Sequence, residues 1–119
     1  MTAAGMPVDL VVEGTQRPLP PGLDLAAYRI VQEAVTNALK HAPGAALRVH
    51  VAYEADALRL QVDDDGPTAA ARGGLEAVGG HGLPGMRERA AMYGGRVEAG
   101  PRPGRGFRVI ATVPLPEPS

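Results

Sequence analysis

Cysteine and tryptophan are absent from these 119 residues, and phenylalanine, lysine and asparagine occur once each. Without cysteine there are no disulfides, thiolate metal sites or cysteine nucleophiles, and the chain fits a reducing compartment. Aromatics make up only 3%, so the core must be built from Val, Leu, Ile, Ala and Met. A net charge of −1 leaves no general basic field for nucleic acid or an anionic membrane. No run is long and apolar enough to span a bilayer, and the N-terminus lacks the charged-then-apolar form of a signal peptide. Internal repeats are absent too. The length suits one domain, residues 1–119, with a core over about 8–114.

What is present is periodic. "PVDLVVEG" alternates Val8, Leu10 and Val12 on one face, as a strand does. "RPLPPG" breaks the chain, and Asp24 is placed to N-cap a helix from about Leu25 to His41, which stops at Ala42-Pro43-Gly44. "LRVHVAY" sets Leu47, Val49, Val51 and Tyr53 against Arg48 and an exposed His50; "LRLQV" sets Leu58, Leu60 and Val62 against Arg59 and Gln61. Glu54 to Ala57 joins these two strands as a hairpin. "FRVIATV" repeats the alternation, and a second helix runs from near Pro84 to Gly94-Gly95. Such alternation implies a sheet wet on one face and covered by helices on the other. The expected fold is α+β: a two-layer sandwich with a mixed, mostly antiparallel sheet. Between Asp65 and His81 the pattern vanishes into small residues and glycine, and a loop of that length suits a lid.

The first helix carries an apolar stripe of Ala27, Ile30, Val31, Ala34, Val35 and Ala38. Glu33, Asn37 and His41 follow at i, i+4 and i+8, with Lys40 beside them, along one edge of that stripe. The sole asparagine and the sole lysine thus share one row, while the eleven other basic residues are arginine, a bias read here as compositional. An amide oxygen suits Mg²⁺ that keeps most of its waters, and a lysine supplies a compact charge for phosphates. A solvated Glu–Lys helix face is the plain alternative.

"QVDDDGP" ends a strand with Asp63, Asp64, Asp65 and Gly66. A buried carboxylate there would accept a hydrogen bond from the exocyclic amino group of adenine, where guanine presents an acceptor. An Asp-Asp-Gly by itself is more often a simple turn. "GGHGLPGMRERAAMYGG" opens a helix with glycines, whose amides admit a phosphate at the helix N-terminus. "GHGLPG" matches G-x-G-x-x-G only formally, since no strand leads into it. A G-x-x-x-x-G-K-[ST] loop is absent.

Taken in order, "RIVQEAVTNALKHA", "VDDDG" and "GGHGLPGMRERAAMYGG" resemble the N, G1 and G2 boxes of the GHKL ATP-binding fold. The likeness is to the catalytic domain of NarL/DesK-type sensor histidine kinases, and it extends from about Val8 to Pro114. It implies Mg-ATP binding and γ-phosphoryl transfer to a histidine on a separate dimerisation domain, with a response regulator downstream. Carried over, Glu33 is the acidic residue of catalysis and Asn37 the Mg²⁺ ligand. Lys40 and His41 lie near the phosphates, Asp64 binds adenine and Gly66 shapes its turn. Gly80, Gly82 and Leu83 run along the nucleotide. Two positions depart from the family pattern: Thr68 where a glycine is usual, and Gly106-Phe107 where Gly-Thr is usual. No dimerisation or phosphoacceptor helix precedes residue 8, so the expectation is a monomeric, cytoplasmic catalytic domain from a homodimeric parent, without nucleic acid as a partner. An anti-sigma serine kinase of the same fold, and a degenerate fold used only for protein contacts, are the rival readings.

Overall fold

A computed structural model describes residues 2–3, 6–41, 44–66 and 83–115. Strands β1 (Thr2–Ala3) and β2 (Met6–Gly14) precede helix α1 (Leu23–His41). Then come β3 (Leu47–Tyr53), β4 (Ala57–Asp64), helix α2 (Leu83–Ala91), β5 (Arg96–Pro101) and β6 (Phe107–Pro114). The strands form one sheet in the order β1-β2-β3-β4-β6-β5, with β2–β3 parallel and every other pair antiparallel. Helices α1 and α2 pack on the same apolar core as the sheet, giving the expected two-layer α+β sandwich.

Helix α1 buries Leu23, Ala26, Ala27, Ile30, Ala34 and Ala38 at the spacing of one helical face. It starts two residues before the expected Leu25, because Leu23 N–H bonds Pro20 O at 3.0 Å after Gly22 adopts φ +84°. Asp24 is therefore not the N-cap. It lies within the first turn, where its carboxylate accepts the Leu25 N–H at 2.9 Å and faces the positive end of the helix dipole. In β3 and β4, Leu47, Val49, Leu58, Leu60 and Val62 are buried as their alternation requires, and Glu54 N–H closes the hairpin on Ala57 O at 2.8 Å. Helix α2 buries Leu83, Met86 and Ala90, and it ends where Gly95 N–H returns to Ala90 O at 2.8 Å across left-handed Gly94.

Strand β2 differs from expectation. Val8 packs on the core, but Leu10 and Val12 are 51% and 43% exposed. Helix α1 lies over β4 and β3 and helix α2 over β5 and β6, so β2 lies beyond their full cover. Strand β5 was not legible at all: only Val97 of its residues is fully buried, and Gly100-Pro101 hides the alternation.

Candidate functional site

Strand register decides which carboxylate faces which way. Along β4, Leu58, Leu60, Val62 and Asp64 share the helix-covered face, and Arg59, Gln61 and Asp63 share the other. Asp64 is thus carried to the rim of the core, 4% exposed. Its Oδ1 accepts the Gly66 N–H at 2.9 Å, which shapes the turn that Gly66 closes. Phe107 stands directly opposite Asp64 in the β4–β6 pair, half-buried at the edge of the core.

Three elements meet at this end of the sandwich. Ala38 of α1 packs with Leu47, and Leu47 is the cross-strand partner of Asp64. Asn37, the neighbour of Ala38, is therefore at the same end as Asp64, half-buried. Glu33 is half-buried one turn earlier, and Lys40 is exposed one turn later. Helix α2 is anchored at the far end, where Gly95 fits tightly against Thr112 and Val113 and the Tyr93 hydroxyl donates to Pro21 O at 3.5 Å. Its first residue, Leu83, is buried in the same core cluster as Ile30 of α1 and Val62 of β4. The side chain of His41, together with Gly80, Gly82 and the rest of the 67–82 segment, lies outside the described residues.

The opposite face of the sheet holds a network that residue patterns did not reveal. Arg108 donates from Nε and Nη2 to the two oxygens of Asp63, at 2.8 and 3.2 Å. Arg59 donates to Gln61 at 3.0 Å, and Gln61 donates to Asp63 at 2.9 Å. Burial pushes the Asp63 carboxyl up, but the Arg108 and Gln61 hydrogen bonds and the Arg108 and Arg102 charges outweigh it. The group is held below its ordinary 3.8. The Asp63 hydrogen bond in turn raises Arg108 against the effect of burial. Because the folded value is depressed, the stabilisation is complete above 3.8 and is lost as pH falls through the lower folded value. Asp63→Asn is expected to cost about 1–2 kcal/mol at neutral pH, since Arg108 is partly solvated. In urea titrations the difference from wild type should close on acidification; a difference that persists in acid would contradict this.

The chain is 36% identical over 112 residues to the sensor histidine kinase LnrJ of Bacillus subtilis, covering 94% of this chain and 27% of that protein. It is 32% identical over 110 residues to the sensor protein VraS of Staphylococcus aureus strain COL, covering 92% and 31% respectively. It thus spans about a quarter to a third of the length of these relatives. Among solved structures, the catalytic domain of the histidine kinase ThkA superposes with a TM-score of 0.69 at 17% identity, covering 91% of this chain and 78% of that one. The blue-light activated histidine kinase of Erythrobacter litoralis gives 0.66 at 24%, covering 96% and 36%. At these identities the likeness speaks for the fold. Residues 22–117 match the model of the histidine kinase-, DNA gyrase B- and HSP90-like ATPases, and the chain belongs to that family.

Proposed function

We propose that this chain is the ATP-binding catalytic domain of a sensor histidine kinase of the NarL/DesK type. The observation that carries the reading is the convergence, at one end of the sandwich, of the Asn37 turn of α1 and buried Asp64 at the end of β4. Asp64 accepts the exocyclic amino group of adenine. Asn37, Lys40, His41 and the backbone around Gly80 and Gly82 face the phosphates, and Leu83 seats the start of α2 beside them.

The donor set suits magnesium in one form. Among the described residues no three carboxylate or imidazole groups gather to hold a metal, so the protein would offer the Asn37 amide oxygen and the phosphates the rest. When bound, the ion supplies charge neutralisation at the phosphates. The rest of catalysis is positioning. Lys40 balances phosphate charge, and Glu33, one turn from Asn37, polarises the attacking imidazole. The γ-phosphoryl goes to a histidine on the parent's helical dimerisation domain, then to an aspartate of a response regulator. The sensor kinases among the relatives support this over an anti-sigma role. We place the domain in the cytoplasm, within a homodimeric parent; no described helix is long and apolar enough to cross a membrane.

Calorimetric titration with ATP, ADP and GTP, with and without magnesium, tests the reading. ATP should bind in preference to GTP, and more tightly with magnesium. Absence of nucleotide binding at millimolar concentration would overturn it. Without its partner the chain should hydrolyse ATP slowly at most, and rapid stoichiometric self-phosphorylation would contradict the assignment.

A further inference from the structure

The turn that presents Asp64 is held from outside by two arginines of the β5–β6 connection. Arg102 Nη1 donates to Asp64 O at 2.8 Å, and its own N–H closes the connection on Gly106 O at 3.0 Å. Arg105 donates from Nη2 to Asp65 O at 2.8 Å and from Nε to Gly66 O at 3.2 Å, with Asp65 Oδ1 3.8 Å from Nε. Three successive carbonyls, at 64, 65 and 66, thus each receive a guanidinium N–H. Gly106 allows this approach, since its φ of +87° suits glycine and a Cβ there would overlap Asp64 O. Gly66 N–H meanwhile bonds Asp64 Oδ1 at 2.9 Å. The direction of the Asp64 carboxylate therefore depends on where Gly66 stands, and Arg105 holds Gly66.

We propose that Arg102 and Arg105 are positioning residues that aim Asp64 at the base and so set selectivity for adenine over guanine. The inference rests on the nucleotide reading above. A carboxylate discriminates bases only if its angle is held, because a turn free to rotate lets a water stand between oxygen and base. Arginine is required differently at the two positions. Arg105 reaches two carbonyls with two nitrogens of one rigid plane, which a lysine ammonium does not reproduce; Arg102 reaches one carbonyl from its side chain, which a lysine does.

The test is competition of ATP and GTP against a fluorescent adenine nucleotide, for wild type, Arg105→Lys, Arg102→Lys and Arg102→Gln, with the melting temperature of each nucleotide-free chain. Arg105→Lys and Arg102→Gln should lose about tenfold in ATP affinity, the equivalent of one charge-assisted hydrogen bond. Their ATP:GTP ratio should fall with it, while GTP affinity is unchanged. Arg102→Lys should keep the ratio. A wild-type ratio in Arg105→Lys overturns the proposal, as does a parallel fall for ATP and GTP with a collapsed melting temperature, which marks a general structural role. A wild-type chain that binds ATP and GTP alike overturns it at Asp64. One that binds no nucleotide overturns the nucleotide reading itself.

Discussion

Asp64→Asn should lower ATP affinity by about a hundredfold or more while leaving the melting temperature nearly unchanged. The carboxylate is 4% exposed, and Oδ1 is already engaged by Gly66 N–H at 2.9 Å. An amide has a single oxygen. It must give that oxygen either to the turn or to the adenine amino group, and it presents an NH₂ donor to the other. Loss of the charge-assisted bond, with a buried donor facing a donor, amounts to about 3 kcal/mol, which is about a hundredfold in binding. Calorimetry on both proteins measures it. A folded Asp64→Asn that binds ATP like wild type would place the base elsewhere.

Gly106→Ala should be the most destabilising single-methyl addition in this region. Its φ of +87° costs an L-residue about 1–2 kcal/mol. The new Cβ would also overlap the backbone oxygen of Asp64, which has no side-chain freedom to yield. The combined cost is about 2–4 kcal/mol, a fall in melting temperature on the order of 10 °C. Gly104 is the internal control: φ is +85°, and nothing lies within 4 Å of an added Cβ. Gly104→Ala therefore carries the dihedral cost alone. If both variants melt together, close approach to Asp64 is not what demands glycine at 106. If Gly106→Ala melts lower, the same displacement should also weaken ATP binding.

Both predictions concern a site whose parts were unequally legible. Asn37 and Lys40 stood out as single occurrences on one helical row, and Asp64 through the resemblance of "VDDDG" to the G1 box. Arg102, Arg105 and Arg108 did not. Their excess over lysine read as compositional, because hydrogen bonds to carbonyls 38 to 40 residues away, or to a carboxylate 45 residues away, leave no periodic trace. Asp63 was equally silent, although period two alone sends it to the opposite face from Asp64.

By itself the sequence determined the local elements: the stripe of α1, the alternation of β3, β4 and β6, and the stop at Gly94-Gly95. Side-chain periodicity is a property of neighbouring residues, so one chain read in order contains it. Tertiary structure decided what depends on neighbours distant in sequence. It made β2 parallel to β3, left Leu10 and Val12 beyond the helices, and recruited β5 with little more than Val97. It also brought the β5–β6 arginines onto the acidic turn. Strand order and side-chain-to-carbonyl bonds are settled by which surfaces the folded chain brings within a few ångströms, and no local pattern encodes that distance.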